Sequence, residues 1–145
     1  MTGPDGRPGA GTVLGFDFGT QRIGVAAGQG VTGTAHGITI LPARDGKPDW
    51  QAVARLLETW RPEALVVGLP LNMDGTDQEL TRLARRFGRQ LAGRYNLPVY
   101  EMDERLTSVE ARQELDRPYR DGHVDEEAAR LILESWLAEQ REPEA

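Results

Sequence analysis

The 145-residue chain contains no cysteine. Disulfides, thiolate nucleophiles and cysteine-type zinc sites are therefore excluded, and the composition suits a cytoplasmic protein. Histidine is nearly absent too. His36 and His123 are too few for a histidine-built zinc centre. Any metal here is held by oxygen, which points to Mg or Mn. Lysine is represented by Lys47 alone, so almost every cation is an arginine. No apolar run approaches the roughly 20 residues that cross a bilayer, so no membrane partner is expected. The stretch from Met1 to Thr12 lacks the apolar core of a signal peptide.

What is present fits one domain. Residues 1–11 are rich in Gly and Pro and read as a disordered leader, 12–140 as the folded domain, and 141–145 as a charged tail. The formal net charge is −6, unevenly spread. Residues 101–145 hold six Arg/Lys against fourteen Asp/Glu, whereas 51–100 hold seven against five. An acidic chain can still bind nucleic acid when its arginines gather on one face.

The hydropathy pattern predicts three short strands at Val13–Asp17, Ile23–Ala27 and Gly33–Leu41. Their connections are so short that they must pair as antiparallel hairpins. Asp49 can cap a helix with Trp50, Val53, Ala54 and Leu57 on one stripe, ended by Pro62. Ala64–Leu69 is a continuous apolar strand of the kind buried on both faces. A long helix follows from about Thr76 to Arg94, then a fifth strand at Val99–Met102. Thr107 and Glu110 suit a capping box for a short helix to Asp116, and a last helix spans Asp125–Glu139. The order βββαβαβα predicts an α/β domain. Its mixed five-stranded sheet has three antiparallel and two parallel strands, with helices on both faces.

Three carboxylate positions carry chemistry. Asp17 ends the first strand in FDFGT, where an acid in an apolar run needs a cation, a metal or hydrogen bonds. Its alternative is a carboxylate bound to turn amides. Asp103 and Glu104 end the fifth strand, at the edge where α/β sheets bind ligands. Strand alternation puts them on opposite faces, so one of the two faces a given site. With Arg105 next in sequence, the alternative is a loop ion pair. Asp125 heads the stripe Ala128, Ala129, Ile132 and Trp136 of the last helix, and otherwise serves as its N-cap. Three oxygen ligands converging at one sheet edge suit one or two Mg or Mn ions and phosphodiester cleavage.

The long helix carries Arg82, Arg85, Arg86 and Arg89 at i, i+3, i+4 and i+7, opposite Leu80, Leu83, Ala84, Phe87 and Leu91. Like charges at these spacings repel by a few tenths of a kcal/mol per pair. A stripe of one sign held at that cost points to a phosphate backbone. The alternative is pairing with acids of the C-terminal third.

The segments FDFGTQRIGVA at 16–26, VVGLPLNMDGT at 66–76, DERLTS at 103–108 and VDEEAARLIL at 124–133 together resemble the YqgF/RuvX family. That family has the ribonuclease H-like fold, shared with RuvC-type Holliday junction resolvases. The resemblance covers about residues 13–140. It implies a metal-dependent endonuclease of the bacterial cytoplasm, acting on pre-16S ribosomal RNA at its 5′ end or on four-way DNA junctions. It implies catalytic, metal-binding acids at Asp17, Glu104 (in preference to Asp103) and Asp125. Arg22 and Arg105 join the four helix arginines as expected nucleic-acid contacts. A homodimer would suit a resolvase cutting two symmetric strands. Related sites usually hold an acid on the fourth strand. Here that strand reads ALVVGLPL, so the acid of the next strand has to take its place.

Two other readings compete. DFGT also resembles the phosphate loop of actin-like ATPases and sugar kinases, which need two such domains around a cleft. A non-catalytic RNA-binding or ribosome-assembly module on the same fold would gain nothing from three acids beside phosphates.

Overall fold

The computed structural model describes residues 11–106 and 123–141, with side chains described over 11–105 and 126–140. The expected leader, the short helix at 107–116 and the last four residues lie outside the described residues. The elements are β1 (Thr12–Phe18), β2 (Arg22–Gln29), β3 (Thr34–Arg44), β4 (Lys47–Pro48), α1 (Trp50–Trp60), β5 (Ala64–Leu69), α2 (Glu79–Tyr95) and β6 (Val99–Asp103). A single 3-10 turn (Glu104–Leu106) follows, and then α3 (His123–Arg141).

The strands form one mixed sheet in the order β4-β3-β2-β1-β5-β6. β1, β2 and β3 pair antiparallel, and β5 and β6 run parallel to β1. The expected five strands are six. β3 runs on to Arg44, turns through Asp45 (φ 51°) and Gly46 (φ 81°), and pairs with Lys47–Pro48. Two consecutive positive φ values are the signature of a two-residue hairpin turn, for which Asp-Gly is a preferred sequence.

Strand alternation divides the core into two layers. Leu14, Phe16, Phe18, Val25, Leu65 and Val67 project to one face and pack against Val53, Leu57, Phe87 and Leu91 of α1 and α2. Phe87 meets Phe16 edge to face at 5.4 Å and is fully buried. Truncating such a residue to Ala costs about 3–5 kcal/mol. Val13, Ala26, Val66 and Met102 project to the other face, under Ala129, Ile132, Leu133 and Leu137 of α3. α3 lies close on β1, because a Cβ on Gly15 would stand 2.8 Å from Cβ of Leu133.

Local signals set the helix ends. Asp49 caps α1 by accepting from the N–H groups of Gln51 and Ala52 at 3.1 and 3.2 Å. Arg61 closes the helix in the left-handed region (φ 46°), just before Pro62. α2 starts at Glu79, three residues later than expected, because the segment before it closes on itself. A bridge joins Leu71 and Asp77, and the buried Thr81 hydroxyl donates to the Pro70 carbonyl at 2.5 Å. α3 starts at His123, two residues before the expected Asp125. Asp125 therefore stands inside the first turn and not at the cap position.

Candidate active site

Asp17 is half-buried on β1, and alternation with Gly15 places it on the α3 face. One step beyond the last registered pair, Phe16 with Val67, brings it alongside Gly68 of β5. Gly68 is in turn registered with Met102 of β6. Glu104 follows in the 3-10 turn, and its carboxylate lies on the α3 face, against the same Gly68 position that Ile132 of α3 meets. Its Oε2 is buried, 2.9 Å from where a Cβ on Gly68 would lie. β1 and β6 are two interstrand spacings apart, about 10 Å. Glu104 spans part of that distance by reaching over β5. Burying a carboxylate oxygen is costly unless it is compensated, so the position is a demanding one.

This arrangement explains the strand without an acid. The fourth long strand, β5, carries Gly68 beside Asp17, and the missing Cβ leaves room both for the Glu104 carboxylate from the turn after β6 and for Ile132 of α3, whose Cδ1 would lie 2.5 Å from it. Glycine inside a strand often marks such a close approach. The signal is present in VVGLPL but takes its meaning only from residues distant in sequence, Glu104 and Ile132.

Asp103 has another role. Its carboxylate receives the Arg105 guanidinium in a fork, with Nε at 3.1 Å from both oxygens and Nη2 at 2.7 Å from Oδ2. Oδ1 also accepts the Arg105 N–H at 2.9 Å. These hydrogen bonds hold the Arg105 pKa above its ordinary value. Arg105 Nη1 further donates to the Met73 carbonyl at 3.0 Å, tying the end of β6 to the loop after β5. Arg105, expected as a nucleic-acid contact, is thus engaged in an ion pair that anchors a loop. That loop is ordered from within as well. Asp74 Oδ1 accepts from the Thr76 hydroxyl and N–H at 2.6 and 3.0 Å, and Gly75 takes φ 88°. The two bonds from Thr76 lower the Asp74 pKa.

Asp125 lies one helical turn before Ala129, whose carbonyl oxygen is 3.4 Å from a Cβ position on Gly15. From that contact, four residues of helix rise about 6 Å to Asp125, and two residues of strand rise about 7 Å to Asp17. The Asp125 side chain lies outside the described residues. Among those with described side chains, no three acids or histidines form a metal cluster.

The arginine stripe divides. Arg85 pairs with Asp77 and lies 3.9 Å from Glu101 of β6, and the hydrogen bond it donates to the Asp77 carboxylate holds its pKa above the ordinary value. Arg82, Arg86 and Arg89 are exposed. Their helix packs on the sheet face opposite Asp17 and Glu104, so the stripe and the acids occupy different layers. Arg22, exposed at the start of β2, lies on the hairpin beside Asp17.

Comparison with known proteins fits this geometry. The model of a family described as "RuvX: Holliday junction resolvase" matches residues 11–139. A protein of Glaesserella parasuis named "Putative pre-16S rRNA nuclease" is 52% identical over 134 residues, covering 89% of this chain and 97% of its own. One of the same name from Azotobacter vinelandii is 54% identical over 132 residues, covering 88% and 93%. Among solved structures, the fowlpox virus resolvase bound to Holliday junction DNA aligns with a TM-score of 0.56 at 14% identity, covering 90% of this chain and 99% of that one. Thermus thermophilus RuvC with a junction substrate gives 0.52 at 17%, covering 90% and 96%. At these identities the structures testify to a shared fold.

Proposed function

The chain belongs to the RuvX family, and on that premise we propose that it is a metal-dependent endonuclease that hydrolyses phosphodiester bonds of structured nucleic acid in the cytoplasm. The favoured substrate is pre-16S rRNA, which the names of relatives above 50% identity mention, and the family resemblance directs the cut to its 5′ end. A four-way DNA junction is the second substrate, favoured by the family description.

The observation that carries the reading is the placement of Asp17 and Glu104 on one sheet face, across Gly68, at the C-terminal edge of the parallel strands. All the candidate ligands are oxygen donors, which fits Mg or Mn. Gly68 keeps open the space that Glu104 uses. Asp17, Glu104 and Asp125 would hold the ion or ions. Metal held there would supply the activation of water and the stabilisation of a leaving oxygen. The protein's own part is positional. β1 and the 3-10 turn hold two acids on rigid backbone, and Arg105 withdraws Asp103 from the site by pairing with it. Arg22 offers a cation to a phosphate on the adjoining hairpin.

The test is a paired cleavage assay on a 5′-extended 16S rRNA precursor and a four-way DNA junction, in Mg and in Mn. Wild-type protein should cut the RNA, and Asp17→Asn should cut neither substrate. The variant should bind at least as well as wild type, since a neutral amide ligates metal poorly but repels phosphate less. Cleavage by Asp17→Asn at the wild-type rate would overturn the site.

A further inference from the structure

The β3–β4 hairpin stands between the candidate site and the exposed arginines of α2. Two of its cations, Arg44 and Lys47, have no part in the site described above. The hairpin is fixed on two sides. The Gly46 N–H donates to the Thr20 carbonyl at 2.9 Å, and the Ala43 N–H donates to that of Gln21 at 3.0 Å. Both acceptors belong to the turn that follows Asp17 and leads to Arg22. On its other side, a Cβ on Gly46 would lie 3.5 Å from Cδ1 of Leu83, so the turn rests on α2. Arg82 and Arg86 flank Leu83 on that helix, and both are exposed, as are Arg22, Arg44 and Lys47.

Arg44 and Lys47 are direct partners across the two-stranded ladder. Like charges directly opposite each other project to the same side and destabilise the pairing. The exposed acids along this path are Asp45 at the turn, Asp49 at the foot of the hairpin and Glu79 at the start of α2, three against five cations.

The geometry points to Arg44 and Lys47 as phosphate contacts of the RNA substrate. The strand would leave the acids, pass the turn before Arg22 and cross the β3–β4 hairpin onto Arg82 and Arg86. This rests on the nuclease reading and deepens it, because the path joins the two layers that the sheet separates. A substrate cut on the α3 face reaches the arginines of the α2 face around the sheet edge. Such contacts position the strand without reading its sequence.

The experiment is fluorescence anisotropy of a 5′-extended 16S rRNA precursor across a salt series, with cleavage rates measured in parallel. Arg44→Ala/Lys47→Ala should flatten the slope of log affinity against log salt by about 0.7–0.9 per phosphate given up, roughly 1.4–1.8 for the pair. Its KM should rise and its kcat should stay near wild type. Arg86→Ala, on a different element, should flatten the slope independently by about 0.7–0.9, and the two effects should add. The control removes the same charge from α1 with Arg55→Ala/Arg61→Gly, glycine being chosen because residue 61 is left-handed (φ 46°). Its slope should match wild type. An unchanged slope in Arg44→Ala/Lys47→Ala, while wild type binds and cuts the RNA, overturns the path and leaves the nuclease reading standing. Equal flattening in the control also overturns it, since net charge alone then sets the slope. A wild-type protein that neither binds nor cuts this RNA, while it cuts a four-way DNA junction, overturns the RNA substrate and the path with it; one that cuts neither overturns the nuclease reading itself.

Discussion

Oε2 of Glu104 lies 2.9 Å from the point that a Cβ on Gly68 would occupy. That distance is below ordinary contact, so the two positions are coupled: a side chain at 68 and a carboxylate at its present place exclude each other. The same Cβ would stand 2.5 Å from Cδ1 and 3.1 Å from Cγ1 of the buried Ile132, so the clash falls on a core side chain of α3 as well as on the carboxylate. Relief therefore requires both the carboxylate and Ile132 to move.

Gly68→Ala should therefore lose about 1–3 kcal/mol through overpacking at Ile132 and, beyond that, cut about tenfold more slowly or worse per folded molecule. Gly15→Ala is the contrast. Its Cβ would meet Cβ of Leu133 at 2.8 Å and the Ala129 carbonyl at 3.4 Å, which only a shift of α3 relieves. That overpacking should cost about 1–3 kcal/mol. Cleavage rates normalised to the folded fraction, beside thermal melts, separate the two. The assignment of Glu104 fails if Gly68→Ala cuts normally.

Asp103 and Glu104 should part company on neutralisation. Glu104→Gln should abolish cleavage with little change in melting temperature. Asp103→Asn should retain measurable cleavage but lose the fork to Arg105, loosening the loop at Met73. Its melting temperature should fall by a few degrees, and amide exchange should rise over residues 71–77. A dead Asp103→Asn with unaltered loop protection would reverse the two roles.

The arginines of α2 should divide as their surroundings do. Arg85→Ala loses the pair with Asp77, partly exposed and worth less than about 1 kcal/mol, and should leave the salt slope of RNA binding unchanged. Arg82→Ala/Arg89→Ala should leave stability nearly unaltered, because Ala and Arg are both good helix formers. It should flatten the slope by about 0.7–0.9 for each phosphate that the helix no longer neutralises. Identical slopes in both variants would remove the exposed arginines from the nucleic-acid path.

The loop after β5 should weaken in acid. Hydrogen bonds from Thr76 hold the Asp74 carboxyl below its ordinary value of 3.8. A lowered folded-state pKa gives stability that is fully present above the unfolded value and is lost as pH falls through the folded one. The gap in melting temperature between wild type and Asp74→Asn should stay constant from pH 7 to about 5 and close below 3.8. A gap that persists in strong acid would mean that the Thr76 bonds do not depend on the charge.

Much of the fold is legible in the sequence because its signals are local. The apolar runs of β1, β2 and β5, the Asp49 cap and the stop before Pro62 act within a few residues of themselves. The Asp-Gly turn that creates β4 is equally local, yet the two-residue strand behind it is too short to show a pattern of its own. The start of α2 differs from expectation because its control is only partly local: the Gln78 N–H donates to the Thr81 hydroxyl at 3.0 Å, and that hydroxyl has a distant partner as well. Thr81 is held by Pro70, eleven residues away.

The site is half legible. Sequence by itself put acids at strand ends and an arginine stripe on one helix, because alternation and helical pitch follow from backbone geometry. It left Asp103 and Glu104 open, since alternation says that they differ and not which one faces α3. Tertiary structure decided that, by packing α3 on the face that holds Asp17 and Gly68 and by pairing Asp103 with Arg105. It also drew Arg85 out of the stripe through partners on another loop and strand, and set the remaining arginines on the layer opposite the acids. Periodicity fixes which side chains share a face. Which face meets which layer depends on contacts between residues far apart in sequence, and those exist only once the sheet has assembled.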